Sequence, residues 1–493
     1  MAETIEFAHR MSDSDALMWR IEKDPLLRST VTALWVLDRS PDRARLEDKL
    51  ERATRLIPRL RQRVVSNPMS LAPPRWEVDP NFDLAFHVRW MRAPGRGTLR
   101  DLLDFAQPMA MQGFDRARPL WELAIVEGLE SGRSGMIMKL HHSISDGVGL
   151  VNMTASMVET WRDPDPKRKR KPMPPAPDAH VMSQWDRFFD ALGHEWRRFL
   201  GRGRRLGGIF GALAANPLDA ARAAAAIAAS TGRLTQPATE SGSPILRPRS
   251  LSLRFETLEL PLERMKRAAK RAGARLNDAF VAGVCGGLAR YHEHRGSPVE
   301  RLRMTMPINL RDAATENVAG NRFVPARFDV PLNVVDPIER MRVIQRLVSQ
   351  QRSEPALPIV EEISGLFNRM PTAVSTWLLG SMLKGIDFVT SNVPGPQLDV
   401  YLSGAKIEEI YGFGPLSGAA INATLFSFNG VARIGINTDR AAVPDSAELR
   451  ECLREGLEEV LAAGDEPKAP KTGSDNFFHE DSSRIGTVDG KVV

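Results

Sequence analysis

Between Asp163 and Arg249 the chain loses the ability to build a core, and this interruption governs how the rest can fold. Asp163 to Ala179 is dense in proline and carries the run Lys167, Arg168, Lys169, Arg170 and Lys171. Such sequence stays extended and solvated, so a linker or exposed loop is expected. Trp185 to Phe199 has helical spacing. Gly201 to Ser230 is Gly/Arg-rich and then Ala-rich, which predicts a helix with little side-chain area to bury. Gly242 to Pro248 reads as loop. For a chain of 493 residues, length alone predicts about three units, with two large ones equally admissible.

Before the interruption, Met11 to Glu22 predicts a short helix and Thr30 to Leu37 a strand. Arg43 to Leu60 places Leu46, Leu50, Ala53, Leu56, Ile57 and Leu60 at amphipathic-helix spacing. Leu84 to Trp90 alternates as a half-buried strand would, and Thr98 to Ala110 returns to helical spacing. Leu123 to Val126 and Gly135 to Leu140 predict two strands about a polar turn, with a helix over Gly149 to Thr160. After it, Leu251 to Leu258, Met304 to Asn309 and Phe323 to Phe328 predict strands. Leu260–Ala272, Leu276–His294, Pro337–Gln351, Ile359–Lys384 and Ala447–Ala462 predict helices. Asn429-Gly430 predicts a hairpin turn between Leu425–Asn429 and Val431–Asn437. Both halves therefore read as mixed α/β.

Two cysteines, Cys285 and Cys452, exclude a disulfide scaffold and a Cys-rich zinc module, and suit a reducing compartment. The net charge of +6 is mild for this length and does not predict nucleic-acid binding. No run of 18 uncharged apolar residues occurs, so no spanning helix is expected, and the acidic residues Glu3, Glu6, Asp13 and Asp15 argue against a signal peptide.

The stretch richest in chemistry is His141-His142-Ser143-Ile144-Ser145-Asp146-Gly147. Two histidines ending a strand point opposite ways, so one can face a cavity while the other supports the backbone. A neutral imidazole can take the proton of an alcohol or thiol as it attacks a carbonyl. Three readings stay open on these residues alone: catalysis, a packed structural pair, and a metal site, the last weakened because no third and fourth ligand follow at usual spacing. There is no GxSxG elbow, no Walker loop and no GxGxxG fingerprint.

His141 to Gly147 matches the HHxxxDG pattern of the CoA-dependent acyltransferase superfamily, which includes chloramphenicol acetyltransferase and peptide-synthetase condensation domains. Pro119-Leu120-Trp121, after Arg118, resembles the PLW element of the bacterial wax ester synthase/diacylglycerol acyltransferases. Asn277-Asp278 resembles that family's ND element. Met306 to Arg311, Gly320-Asn321-Arg322 and Ser391 to Pro396 resemble its second-half blocks, and the likeness runs over residues 9 to 160 and 250 to 460. Two departures stand out: Ser14-Asp15-Ala16 near the start, and the crossover from Asp163 to Arg249.

The resemblance implies an α/β fold of two chloramphenicol-acetyltransferase-like domains with mixed sheets and an active-site channel at their interface. The expected division is residues 1–165, a crossover at 166–249, residues 250–465 and a loose tail at 466–493. It implies an O-acyltransferase that moves a long-chain acyl group from acyl-CoA, a co-substrate, to diacylglycerol or a long-chain alcohol, with no bound cofactor and no metal. By this resemblance His142 is the general base, with His141, Asp146 and Gly147 supporting it. Pro119, Leu120, Trp121, Asn277, Asp278 and Asn392 are substrate-channel or structural candidates, Asn392 being read in a Pro/Gly-rich loop. Trp121 is expected to pack beneath the site, and His87, His292 and His294 to be surface or structural. A cytoplasmic protein touching an anionic inner membrane or lipid droplet peripherally is expected. The alternatives are a different acceptor, a carrier-bound donor, or a non-catalytic lipid-binding homologue.

Overall fold

The computed structural model describes residues 8–67, 72–145, 147–163, 172–215, 222, 225, 229–232, 241–309, 323–354 and 360–465. Asp146, Lys167 to Lys171, Leu310, Arg311, Gly320 to Arg322 and the tail from 466 lie outside these residues.

In the first half, Ser12 caps α1 (Asp13–Ile21), its Oγ accepting the Asp15 N–H at 3.0 Å. The β-branched run Thr30–Leu37 forms β1. Helix α2 (Arg43–Leu56) buries Leu46, Leu50 and Ala53 but stops short of Leu60, because Ile57 precedes Pro58 and the chain turns into a short 3-10 segment. Strands β2 (Gln62–Val65) and β3 (Arg75–Val78) pair as a separate hairpin. The strand expected at Leu84 begins later: Asp83 accepts the Ala85 N–H at 2.9 Å and opens a helical turn, α3 (Leu84–His87), before β4 (Val88–Arg92). A Thr98/Asp101 capping box starts α4 (Leu99–Met111). There follow β5 (Trp121–Glu127), β6 (Ser134–His141), α5 (Gly147–Ala155) and α6 (Gln184–Ala215).

The second half contains β7 (Leu253–Pro261), α7 (Leu262–Ala272), α8 (Leu276–His294), β8 (Arg301–Asn309), β9 (Phe323–Pro331) and α9 (Pro337–Arg352). The helix expected over Ile359–Lys384 is broken into α10 (Val360–Arg369) and α11 (Thr372–Leu383), since Pro371 cannot continue a helix and instead caps the next one. Then come β10 (Phe388–Pro394), β11 (Tyr401–Leu402), β12 (Ala405–Phe413), β13 (Ile421–Phe428), β14 (Val431–Asp439) and α12 (Ser446–Asp465). The β13–β14 hairpin turns at Asn429 (φ 46°) and Gly430 (φ 80°), both left-handed, as a primed turn requires.

The architecture is α/β, with two mixed six-stranded sheets. One runs β11-β12-β1-β6-β5-β4, parallel only at β4/β5. The other runs β7-β14-β13-β10-β8-β9, parallel where β10 meets β13 and β8. Strands β11 and β12 come from the second half of the chain yet complete the first sheet, β12 lying antiparallel against β1 with Trp35 opposite Ile410. The expected division at residue 250 is therefore crossed by the chain itself. At this exchange the sheets touch through glycine: a Cβ on Gly435 of β14 would lie 2.1 Å from the Gly412 oxygen of β12. Phe255 and Phe413 stack beside it at 4.1 Å. The largest core lies in the second unit, where α7, α8, α9 and α12 cover one face of its sheet with Phe280, Leu288, Leu453 and Leu457 fully buried.

Candidate active site

Strand β6 places both histidines through its period-two alternation. Met138, Leu140 and His142 line a cavity of about 250 Å³, whereas Lys139 and His141 point to the opposite side and are fully buried. The cavity lies between the two sheets. Val31, Ala33 and Trp35 of β1 form one wall, Thr305 of β8, Val389 and Ser391 of β10 and Thr424 of β13 form the other, and Leu150 and Val151 of α5 lie alongside. Its surface is overwhelmingly apolar, with a few hydroxyls set into it. This is the form of a site for an acyl chain.

Backbone bonds hold the strand end on both sides. The His141 N–H donates to the Leu120 oxygen at 3.0 Å and the His142 N–H to the Ser29 oxygen at 2.8 Å. The turn closes when the Ile144 N–H reaches the His141 oxygen at 3.0 Å. Beneath it, His141 Nδ1 accepts the Ser143 N–H at 3.1 Å and lies 2.6 Å from Ser143 Oγ, so its proton belongs on Nε2. Nε2 lies 2.9 Å from Glu22 Oε1. Burial alone would raise the Glu22 carboxyl. His141, the Ser29 N–H donating at 2.6 Å and Arg116 outweigh it and hold the group below its ordinary range. Trp19 and Phe114 meet the His141 ring edge-on at 5.4 and 6.2 Å. On the same face Lys139 Nζ lies 3.4 Å from Glu122 and 4.3 Å from the Phe114 ring. Burial lowers its ammonium pKa against the opposing pull of Glu122.

Pro119, Leu120 and Trp121 lie directly beside this strand, with Trp121 opposite Leu140. Trp121 is buried. Its Nε1–H donates to the Leu60 oxygen at 2.8 Å, and His87 stacks on it at 4.5 Å with Nδ1 2.7 Å from the Trp121 oxygen. Burial lowers the His87 pKa and keeps the ring neutral. Gly147 begins α5. Asn277 and Asp278 do not line the cavity. Asp278 caps its own helix, accepting the Arg275 N–H at 2.8 Å, and burial raises its carboxyl. Asn277 Nδ2 is buried without a hydrogen-bond partner among the described residues. Asn392 is on strand β10 rather than in a loop. Its neighbours Ser391 and Val393 line the cavity, so alternation turns Asn392 to the other face.

Two residues of the site carry no sequence signal. Glu22 reaches His141 only because α1 folds under β6. Thr305 lines the cavity with its buried Oγ1 unpaired among the described residues.

Residues 11–280 match the wax ester synthase/diacylglycerol acyltransferase catalytic domain, and residues 319–460 match that family's C-terminal domain. The chain is 38% identical to a putative diacylglycerol O-acyltransferase of Mycobacterium tuberculosis strain H37Rv, covering 100% of this chain and 99% of that one. A second putative diacylglycerol O-acyltransferase of the same strain is 29% identical, covering 94% and 99%. The fold is similar to that of the wax ester synthase/diacylglycerol acyltransferase from Marinobacter aquaeolei VT8, with a TM-score of 0.59, 22% identity, and 92% and 100% of the two chains covered. It is also similar to the first condensation domain of the calcium-dependent antibiotic synthetase, with a TM-score of 0.60, 15% identity, and 93% and 97% covered. On these matches, the chain belongs to the wax ester synthase/diacylglycerol acyltransferase family.

Proposed function

We propose that the protein moves a long-chain acyl group from acyl-CoA to a lipid hydroxyl, that of diacylglycerol or of a long-chain alcohol, with His142 as general base. The observation that carries this reading is His142 at the end of β6, facing an apolar cavity between the two sheets. Membership of the family and the likeness to mycobacterial relatives support it.

In this reading the acceptor oxygen attacks the thioester carbonyl as His142 removes its proton. The tetrahedral oxyanion collapses, the C–S bond breaks, and His142 returns the proton to the CoA thiolate, leaving ester and free CoA. No acyl-enzyme forms. Acyl-CoA is a co-substrate, and the chemistry asks for no resident cofactor or metal. His141, locked to Ser143 and Glu22, holds the strand end, and we assign Asp146 and Gly147 a supporting role beside it. Hydroxyls in the cavity wall, Thr305 among them, are our candidates for donors to the developing oxyanion.

The architecture we assign is a pair of chloramphenicol-acetyltransferase-like domains, residues 1–165 and 250–465, joined by a crossover at 166–249, the second lending β11 and β12 to the sheet of the first, with acyl-CoA and acceptor entering the channel from opposite faces. Among the described residues no helix is long and apolar enough to cross a membrane, so water-insoluble acceptors are met by peripheral contact with a cytoplasmic membrane or lipid-droplet surface.

The test is purified protein with palmitoyl-CoA, offered hexadecanol and dioleoylglycerol separately, with release of CoA and formation of ester followed. His142→Ala should lower the rate about 10²- to 10⁴-fold. Absence of ester in both tubes from folded protein that binds acyl-CoA would overturn the reading.

A further inference from the structure

The register of the first sheet measures how deep the cavity runs. Val31 stands opposite Leu140, Ala33 opposite Met138 and Trp35 opposite Met136. On the other flank of β1, Ala33 meets Gly412 and Trp35 meets Ile410. Residues directly opposite one another in a sheet share a face. Leu140, Met138, Ala33 and Trp35 line the same cavity as His142, so it follows this face inward from the strand end. Met136, level with Trp35, stands six positions before His142, about 20 Å away at about 3.4 Å per residue.

The far end is shut. Trp35 and Ile410 are each only 4% exposed, and Phe426 of β13 packs into the same apolar cluster as both. Leu37, the next residue of this face, is fully buried in that cluster with Leu46 and Leu50 of α2, so the space beyond Trp35 is filled. Between the two ends the side chains are small. Ala33 and Gly412 stand level with each other, and a Cβ on Gly412 would lie 3.3 Å from Thr424 Cγ2 of β13. From that contact the sheets continue as β1 and β6 on one side and β10 and β8 on the other, with the cavity between them. A closed apolar arm beside the line where two sheets meet suits one unbranched chain. Diacylglycerol carries two chains and the nucleotide of CoA is charged, so the acyl chain is the part of these substrates that fits. An extended alkyl chain advances about 1.25 Å per carbon, so an arm of about 20 Å holds about sixteen carbons.

We propose that Trp35, with Ile410 beside it, is the floor of an acyl-chain arm and sets the longest chain the enzyme holds in full, about sixteen carbons. This deepens the acyltransferase reading and rests on it for the identity of the chain.

The test is a series of saturated acyl-CoAs from octanoyl to docosanoyl with hexadecanol held constant. The matching S-alkyl-CoA thioethers, which cannot transfer, are followed by calorimetry. In the wild type, kcat/KM and thioether affinity should each rise about threefold to fourfold per methylene up to about sixteen carbons and then stop rising. Trp35→Ala should carry that break about four carbons further. Ala33→Leu narrows the arm at the level of Met138, four positions before His142, and should bring the break back to about eleven carbons. Its palmitoyl-to-decanoyl ratio of kcat/KM should fall about tenfold or more. A loss of folded protein lowers both rates alike and leaves that ratio unchanged. Should Trp35→Ala fail to fold, Ala33→Leu and the wild-type break decide. A wild-type series that climbs unbroken to docosanoyl, or a break that both variants leave in place, would overturn the assignment. So would a break in a series of alcohols at fixed palmitoyl-CoA that moves with these variants in place of the acyl one, since the arm would then belong to the acceptor. If no acyl-CoA yields ester, the enzymatic reading fails, and the thioether series still reports the depth of the arm.

Discussion

Glu22 Oε1 lies 2.9 Å from His141 Nε2 and also accepts the Ser29 N–H at 2.6 Å, while the backbone oxygen of that same Ser29 accepts the N–H of His142. One carboxylate thus braces both sides of the strand end. Its folded pKa is depressed, so its contribution to stability is full above the ordinary carboxylate value of about 4.5 and is lost as pH falls through the lower folded value. Urea midpoints taken from pH 7 to pH 3 should fall more steeply in the wild type than in Glu22→Gln. Parallel curves would assign the acid sensitivity to other groups.

The two histidines should separate cleanly by measurement. His141 is fully buried and engaged at both ring nitrogens, so His141→Ala should cost about 2–4 kcal/mol of stability. His142 is half-buried at the cavity, and His142→Ala should change stability by under about 1 kcal/mol while abolishing acyl transfer. Denaturation and turnover of the same two preparations decide this. A stable, active His142→Ala would remove the general base.

Thr305 keeps a buried hydroxyl without a partner among the described residues, on the cavity wall across from β6. Thr305→Val preserves its shape and removes the unmet hydrogen bond, so the protein should become more stable, by about 1 kcal/mol. If the hydroxyl serves the oxyanion, kcat should fall while KM for acyl-CoA stays level. Higher stability with unchanged kcat would make Thr305 a packing defect only.

Gly435 leaves no room for a side chain against Gly412. Gly435→Ala must push β12 and β14 apart, at a cost of about 1–3 kcal/mol or more, and should loosen the cavity that Gly412 helps to line. A thermal midpoint equal to the wild type would show that the contact yields freely.

Much of this architecture is written in local pattern. Thr30–Leu37 was expected as a strand and forms one with the same bounds, and the opposed histidines follow from the period-two alternation of β6. The Asn429-Gly430 turn acts through neighbours in the chain and is equally legible. What escaped is set by distant partners. Ser391-Asn392-Val393-Pro394 is turn-rich sequence that becomes strand because β13 pairs with it residue by residue, on a strand that β8 also holds at Phe388 and Val389. Pro371 shows why an apolar run from Ile359 to Lys384 is two helices. Glu22 and Thr305 belong to the site only through packing between elements far apart in sequence, which no spacing rule reports.

The placement of β12 has a consequence for how the protein comes into being. A ribosome making this chain releases the HHSISDG segment long before it has made Ala405–Phe413, the strand that covers β1. Through that interval β1 presents an unpaired edge, and the wall that β12 supplies to the cavity does not exist. At about 5–20 residues per second the delay is of the order of ten seconds or more, a window in which the sheet stands open. The cavity is therefore incomplete until β12 has been made, and a chain cut before residue 401 lacks one of its walls.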